Sequence, residues 1–238
     1  MKAMLELAAV SRRFGGLTVI DRVDFSVGEG EIVGILGPNG AGKTTLFNMI
    51  AGVLSPSSGR ILFGERDITG VRAWGRCRLG IGRTYQVPRP FTHMTVFENV
   101  LVAATHGARL PLPRARGEAE TVLERVGLAD RAMVTAGRLG LLDMKQLELA
   151  KALAMRPRLL LLDEIAGGLT EAECKVLLGM IGEVHESGVT IIWIEHVIQA
   201  LRRLVTRLAV LAGGGFIAAG KPYEVLADAR VKAAYLGT

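Results

Sequence analysis

The nine residues GPNGAGKTT combine three glycines, a lysine and two hydroxyl side chains in one short segment. Glycine permits backbone conformations that other residues avoid, and so lets main-chain N–H groups approach phosphate oxygens closely. The spacing predicts that Lys43 reaches the β- and γ-phosphates of a nucleotide and that the Thr44 hydroxyl ligates Mg²⁺. The predicted phosphate-binding loop consists of Gly37, Pro38, Asn39, Gly40, Ala41, Gly42, Lys43, Thr44 and Thr45.

The flanking residues favour phosphate binding over a glycine turn that merely caps a helix. The apolar segment EIVGIL, residues 31–36, predicts a buried strand directly before the loop. The segment KTTLFNMIAG predicts a helix directly after it. The N-terminus of that helix adds the positive end of its dipole to the site.

A second segment, LLLLDE, supplies the acidic side chains that a metal-bound nucleotide requires. Its leucines predict a buried strand, and ligands gather at the carboxyl ends of parallel strands. Asp163 is therefore the expected partner of the metal, through water. Glu164 lies one residue further along and can polarise a water that attacks the γ-phosphate. Alternatively, Asp163 and Glu164 could be two solvated acids at the end of a strand. The phosphate-binding loop upstream makes this interpretation less favoured.

The elements that must position these residues alternate between strand and helix. Alternating polar and apolar residues from Leu5 to Val27 predict antiparallel strands. Helical spacing between Gln86 and about Gly140 predicts helices inserted into the fold. The pattern then predicts a helix at 143–155, a strand at 159–162, a helix at 171–187 and a strand at 190–195. This alternation indicates a mostly parallel sheet covered on both faces.

The composition limits the classes of protein that this sequence can represent. A length of 238 residues suits one or two domains, and 50% of the residues are apolar. No apolar run approaches the roughly 18 residues that cross a bilayer, and we expect no secretory signal. So apolar a chain is expected to dock against another protein. The net charge of +6 is scattered and aromatic residues make up only 5%, so we do not expect nucleic-acid binding. Cys77 and Cys174 lack paired spacing and are expected to be reduced thiols.

Five residues in a fixed order extend the pattern beyond the loop. Phe14 lies in RRFGG, Gln86 ends RTYQ, Asp163 and Glu164 end the acidic strand, and His196 lies in WIEHV. With this order and spacing, the sequence resembles the ATP-binding subunit of ABC transporters over nearly its whole length. The segments RPFTHMTVFENV and GKPYEVLADARVKAAYLG, and the final LGT, resemble the branched-chain amino acid branch of that family.

The resemblance implies a role for each matching residue. Phe14 would stack on adenine, and Gln86, Glu164 and His196 would be catalytic, with Glu164 as the general base and His196 at the γ-phosphate. Phe14 could instead be a core aromatic, Gln86 a plain loop residue and His196 a buried histidine. The implied cofactors are ATP and Mg²⁺. The metal ligands would be Thr44, Gln86 and Asp163.

The sequence departs from the family at the signature LSGGQ, which binds the γ-phosphate held by the opposite subunit. The stretch here is LGLLD, in which glycine replaces serine, two leucines replace both glycines, and aspartate replaces glutamine. Two interpretations stay open: the loop works through main-chain N–H groups, or contact across the dimer is weak and hydrolysis is slow. The implied signature positions are Leu139, Gly140, Leu141, Leu142 and Asp143.

Two further predictions concern the residues around these segments. Asp143 with Gln146 three residues later predicts a capping box in which Asp143 is the N-cap of the next helix. After Glu164, Ile165 stands where the family commonly has proline, and Thr170 where aspartate or asparagine is usual.

The resemblance also implies an architecture and a set of partners. We expect one ABC ATPase domain over 1–238, an α/β P-loop NTPase with a RecA-like parallel sheet core and an N-terminal antiparallel β subdomain. The core would comprise 1–86 and 145–238, and an inserted helical subdomain 87–144.

The expected activity is ATP hydrolysis that powers solute import from the cytoplasmic face of the membrane. The expected partners are a second ATP-binding subunit, transmembrane permease subunits and a periplasmic or extracellular substrate-binding protein, with no nucleic acid. The alternatives are a nucleotide-binding switch with weak turnover and an ABC-type ATPase acting on nucleic acid.

Overall fold

The computed structural model describes residues 2–196 and 198–236. The first of its sheets is antiparallel and lies at the start of the chain. Its strands are β1 (Ala3–Phe14), β2 (Leu17–Gly28), β4 (Ser58–Phe63) and β5 (Arg66–Asp67). Their spatial order is β2-β1-β4-β5. Period-two alternation places one face of β1 and β2 in the core, as the sequence predicted.

The second sheet carries the segments predicted to bind phosphate and metal. Its strands are β3 (Ile32–Leu36), β6 (Ile81–Arg83), β7 (Leu159–Asp163), β8 (Thr190–Ile194), β9 (Arg207–Ala212) and β10 (Gly215–Gly220). Their order is β10-β9-β3-β8-β7-β6, and neighbouring strands from β9 to β6 pair in parallel. The strand β10 returns antiparallel to β9.

The central strands are buried on both faces because their side chains point alternately to two hydrophobic clusters. In β7, Leu160 and Leu162 enter the cluster that contains the helices, whereas Leu159 and Leu161 enter the cluster under the antiparallel sheet. Continuous apolar runs such as LLLL are the sequence signature of parallel strands covered on both sides. The α/β fold class predicted from the sequence is confirmed.

Helices cover both faces of this sheet. In the described residues, no helix combines the length and the apolarity that crossing a bilayer requires. Between β6 and β7 the chain forms helices that pack on one another, with a π-helical turn at Ala103–Gly107 and 3₁₀ turns at Ala129–Arg131 and Ala136–Arg138. The helices are α1 (Lys43–Ile50), α2 (Ala73–Arg78), α3 (Val96–Val102), α4 (Leu112–Arg125), α5 (Leu141–Ala154), α6 (Glu171–Glu186), α7 (Ile198–Leu204), α8 (Pro222–Ala227) and α9 (Ala229–Leu236).

The start of α5 corrects one prediction. Its N-cap is Gly140, with φ −71° and ψ 173°, and no side chain of the described residues caps it. Asp143 lies inside the first turn, where its Oδ2 forms a salt bridge with Arg131 Nη1 at 2.9 Å. The predicted capping box of Asp143 with Gln146 is therefore wrong, because the helix begins before Asp143 at the apolar Leu141. This helix crosses residue 145, where the expected division between core and helical subdomain fell.

Candidate functional site

The phosphate-binding loop connects the carboxyl end of β3 to the start of α1. Two of its glycines are required by their surroundings. A Cβ atom on Gly37 would lie 2.2 Å from the Leu211 carbonyl oxygen of β9. Gly42 has φ 96°, and a Cβ there would lie 2.8 Å from Ile20 Cδ1. A side chain at either position would push the loop away from β9 or β2.

The start of α1 is suited to an anion. Gly42 is the N-cap, no side chain in the described chain caps it, and the first turn holds no acidic residue. The N-terminal N–H groups of the helix and its partial positive charge are thus not neutralised by a side-chain carboxylate. Lys43 Nζ lies across the loop, donating to the carbonyl oxygens of Gly37 at 2.7 Å and Pro38 at 3.0 Å. Burial lowers the pKa of Lys43, and Glu164 and Asp163 oppose that shift.

A cavity of about 400 Å³ brings the loop together with two of the predicted catalytic residues. Gln86, just after β6, donates from Nε2 to Glu164 Oε2 at 2.5 Å. The carboxylate of Glu164 thus faces the loop across an open space. The cavity is lined by Val19, Asn39, Gly40, Ala41, Gly42, Lys43, Thr44, Thr45, Gln86 and Glu164.

Glu164 and His196 lie next to each other after β7 and β8. Glu164 has φ 43°, in the left-handed region that non-glycine residues seldom adopt, and its N–H donates to the Ile194 carbonyl oxygen at 2.9 Å. His196 Nδ1 lies 3.6 Å from Glu164 Oε2 and 3.4 Å from Glu195 Oε1. Glu195 is fully buried and also accepts a hydrogen bond from the Ala166 N–H at 3.2 Å. The imidazole is therefore close to two carboxylates, but His196 is not among the residues that line the cavity of the described chain; it lines a separate pocket beside Gly167.

Asp163, at the end of β7, is buried beside the cavity. Its Oδ2 accepts a hydrogen bond from Arg83 Nη2 at 2.7 Å, and Arg83 also donates to Asn48 Oδ1 at 2.5 Å. The Thr84 hydroxyl accepts from the Asp163 N–H at 3.2 Å. These contacts fix the carboxylate against α1 and β6.

The predicted metal ligands offer the chemistry that Mg²⁺ prefers. Thr44, Gln86 and Asp163 present hydroxyl, amide and carboxylate oxygens, all hard donors. Across residues 2–196 and 198–236, no group of three or more histidine, cysteine or acidic side chains forms a self-contained metal site. Mg²⁺ in nucleotide sites is held by one or two protein groups together with the phosphates, so the residues present fit this ion.

Some predicted residues lie outside the cavity. Phe14 is at the tip of the β1–β2 hairpin and is 43% exposed, and the Arg12 guanidinium carbon lies over its ring, 4.5 Å from the centroid. The signature positions lie at the start of α5, where a Cβ on Gly168 would meet Leu141 Cδ2 at 3.1 Å. Neither Phe14 nor any signature residue is among those that line the cavity of the described chain.

The motifs did not indicate every residue that contacts the site. Arg83, Lys145 and Glu195 are side chains that touch Asp163, Gln86 and His196 respectively. One signal was present, because Lys145 and Glu148 interrupt an α5 sequence whose other residues are largely apolar. Val19 also lines the cavity, from a strand that the motifs do not include.

Comparison with known proteins agrees with this geometry. The family model described as ABC transporter matches residues 20–167. The chain is 36% identical to the high-affinity branched-chain amino acid transport ATP-binding protein LivG of Salmonella typhimurium, with 98% of each chain covered. It is 34% identical to the corresponding protein BraF of Pseudomonas aeruginosa, covering 99% of this chain and 98% of that protein. A solved nucleotide-free ATP-binding cassette from an ABC transporter superposes with a TM-score of 0.90 at 30% identity, covering 99% of this chain and 100% of that one. The chain therefore belongs to the ABC transporter family, as an ATP-binding subunit.

Proposed function

We propose that this subunit hydrolyses magnesium-bound ATP at the cavity between the phosphate-binding loop and Glu164, and that this reaction powers the import of amino acids. The observation that carries the proposal is the cavity itself, which brings Lys43, Gln86 and Glu164 together. Its volume of about 400 Å³ lies in the range of small-molecule sites.

The catalytic roles follow from the contacts around Glu164. A carboxylate at this position can accept a proton from a water that attacks the γ-phosphate. Gln86 donates a hydrogen bond to the Glu164 carboxylate and so orients it. His196, whose Nδ1 lies 3.6 Å from Glu164 Oε2, is the proposed donor to the γ-phosphate, where it would stabilise negative charge. Lys43 and the N-terminus of α1 bind the phosphates.

Thr44, Gln86 and Asp163 would hold the magnesium ion. When bound, it supplies positive charge that stabilises the charge developing on phosphate oxygens. Arg83 and Thr84 hold Asp163 in place.

A second ATP-binding subunit would supply the signature loop. Gly140 begins α5 with no capping side chain in the described chain, so the N–H groups of the first turn are free of a side-chain acceptor. Arg131 balances the charge of Asp143. Both observations support a signature that works through main-chain N–H groups, which leucines also provide. The family and the relatives do not favour a switch without turnover or an ATPase acting on nucleic acid.

A groove of about 470 Å³ is the proposed docking site for the permease subunits. We call it the docking groove; it runs between α2, α3 and α5. Its rim exposes Val53, Trp74 and Phe91, which are 53%, 64% and 53% accessible. Apolar side chains this exposed and this close together mark a protein interface. Phe91 lies between β6 and α3, in the inserted helical region.

The cargo is proposed from the relatives. LivG and BraF are branched-chain amino acid transport proteins by name, so branched-chain or other amino acids are the proposed substrates. The full system would include a periplasmic or extracellular substrate-binding protein, and this subunit would lie on the cytoplasmic face of the membrane.

Calorimetry with the purified chain, Mg²⁺ and ATP tests the proposal. Lys43→Ala removes the ammonium that reaches the phosphates, and we expect heat of binding to become undetectable. Glu164→Gln keeps the shape of the side chain but removes its basicity. We expect it to bind ATP and to release phosphate at least about 100-fold more slowly.

The two variants control for each other, because Lys43→Ala keeps the Glu164 carboxylate and Glu164→Gln keeps the Lys43 ammonium, and melting curves check that both fold. Full binding by Lys43→Ala would refute the assignment of the nucleotide site. Unchanged phosphate release by Glu164→Gln would refute the assignment of Glu164 as the base.

A further inference from the structure

One face of α5 is polar although it is buried. Lys145, Glu148 and Lys151 lie three residues apart, so they share a side of the helix. Lys145 and Glu148 are each only 2% exposed. Charged residues are seldom buried to this extent unless they are paired with other polar groups.

The partners of this polar face belong to the loop that follows β6. Lys145 Nζ donates to the Gln86 carbonyl oxygen at 2.7 Å. Glu148 Oε1 accepts from the Arg89 N–H at 2.9 Å, and Lys151 Nζ donates to the Arg89 carbonyl oxygen at 2.8 Å. Because these bonds involve the main chain, they fix the path of the loop from Gln86 to Arg89 against α5.

Lys145 makes a second contact that the other two residues do not make. Its Nζ lies 3.4 Å from the Glu164 carbonyl oxygen. Gln86 and Glu164 are also joined by their side chains. A single ammonium thus contacts the main chain of both residues that face the phosphate-binding loop.

The surroundings of the ammonium are acidic. Burial lowers the pKa of Lys145, and Glu195, Glu164, Glu148 and Asp163 oppose that shift, in that order of importance. A methionine would fill much the same volume without the cost of burying a charge. The lysine therefore supplies hydrogen bonds to two carbonyl groups that packing alone would not provide.

We propose that Lys145 is a positioning residue that sets the placement of Gln86 relative to Glu164. This inference rests on the proposed ATPase function of the same site. Lys145 is not among the residues that line the cavity of the described chain, so its hydrogen bonds reach the cavity through these two residues. It also ties their placement to α5, the helix whose first turn carries the signature.

The test compares Lys145→Met with Lys145→Arg in single-turnover release of the γ-phosphate from radiolabelled ATP, with ATP affinity measured by calorimetry. We expect Lys145→Met to bind ATP normally and to release phosphate at least about tenfold more slowly, because small displacements of reacting groups cost large factors in rate. Lys145→Arg keeps N–H donors for both carbonyl groups and should restore most of the rate. A normal rate in Lys145→Met, or no rescue by arginine, would overturn the proposal.

A double-mutant cycle with Gln86→Ala separates positioning from general destabilisation. If Lys145 acts through Gln86, the double variant should lose little more rate than Gln86→Ala alone, because contacting residues show strong coupling. Rate losses that multiply would contradict the inference. This readout holds even if Lys145→Met is less stable, since rates are compared per folded molecule.

Arg76→Met is the matched control for removal of a buried cation. Arg76 is 1% exposed and donates to the carbonyl oxygens of Met49 and Ile50, away from the cavity. We expect this variant to melt at a lower temperature but to keep its rate of phosphate release. Failure of the proposed function is recognised separately, because Lys43→Ala would then still bind ATP.

Discussion

Glu164 has the most constrained main chain among the proposed catalytic residues. A non-glycine residue in the left-handed region costs on the order of 1–3 kcal/mol, and persists only where neighbours fix it. Here the Ile194 carbonyl oxygen holds its N–H, Gln86 holds its carboxylate, and Lys145 lies near its carbonyl oxygen. The surrounding contacts thus hold in one orientation the side chain that we propose activates water.

The altered signature gives a prediction at Gly140 and Leu142. A Cβ on Gly140 would enter open space, so a serine fits there without displacing any described atom. Serine at this N-cap adds a hydroxyl, and glycine at position 142 lets the main chain approach a phosphate more closely. We expect Gly140→Ser combined with Leu142→Gly to raise ATP turnover severalfold at saturating ATP.

The single variant Leu142→Gly is the control for this experiment. It places glycine in a helical turn and should cost about 1 kcal/mol of stability, which a melting curve measures. If the double variant shows no gain in turnover over the parent chain, the leucines do not limit hydrolysis.

At the level of elements, the N-terminus of α6 is capped although its N-cap residue differs from the one usual in the family. Thr170 stands where aspartate or asparagine is usual, yet it caps the helix: its Oγ1 accepts from the Glu173 N–H at 3.3 Å, and Glu173 Oε2 accepts from the Thr170 N–H at 2.8 Å. Threonine, aspartate and asparagine are all good N-cap residues. The segment after Glu164 therefore still ends in a well-capped helix.

This capping box gives a pH-dependent prediction. Hydrogen bonds from the Thr170 hydroxyl and N–H lower the pKa of Glu173 from its ordinary 4.5. A carboxyl with a lowered pKa in the folded state contributes stability above its unfolded pKa, and loses it as pH falls through the folded value. We expect Thr170→Ala to destabilise the protein by about 1 kcal/mol at pH 7, and by less as the pH falls below about 4.5.

Thermal melts at several pH values measure this difference. Thr121→Ala is the matched control, because Thr121 is exposed on α4 and its Oγ1 donates to the Gly117 carbonyl oxygen of the same helix at 2.9 Å. It should change stability little at any pH. A Thr170→Ala deficit that stays constant from pH 7 to acid would show that Glu173 is not coupled to the cap.

The elements also show where sequence reasoning succeeds. The strands β3, β7 and β8 were predictable because each is a short apolar run, and burial on both faces requires such runs. The start of α5 was not predictable, because Leu141 and Leu142 fall in the stretch that aligns with the family's signature loop. The family pattern therefore predicts loop residues there rather than the first turn of a helix. The partner of Asp143, Arg131, comes from a 3₁₀ turn that only the tertiary structure brings near. Lys145 stands out in the sequence as a charge in a largely apolar helix, but its partners were not predictable, because they are carbonyl groups that only the tertiary structure brings near.

For the whole molecule, Arg83 connects the docking groove to the proposed metal ligand Asp163. Arg83 lines the groove and at the same time donates to Asp163. Its guanidinium lies 5.0 Å from the ring of Tyr85, which also lines the groove. A partner seated in the groove would therefore contact a side chain that holds the proposed metal ligand.

The docking groove predicts a variant that separates assembly from ATP hydrolysis. Trp74→Glu places a charge where an apolar partner would have to bury it, at a large cost in binding free energy. We expect this variant to lose co-purification with co-expressed permease subunits while its isolated ATP turnover stays unchanged.

Met133→Glu is the control, because Met133 is 79% exposed and does not line the groove of the described chain. It should co-purify like the parent chain. Undiminished co-purification of Trp74→Glu would move the permease interface elsewhere.

The position of β3 has a consequence for how this protein can be divided. The strand that leads into the phosphate-binding loop lies between β8 and β9, and both follow residue 167, where the match to the family model ends. The Leu211 carbonyl oxygen of β9 also lies so close to Gly37 that a Cβ atom would not fit between them. A chain truncated after residue 167 would keep the phosphate-binding loop, Gln86, Asp163 and Glu164, but it would lose His196 and leave β3 with two unpaired edges. The strand that supports the phosphate-binding loop thus gains both of its neighbours only when the last third of the polypeptide has been synthesised.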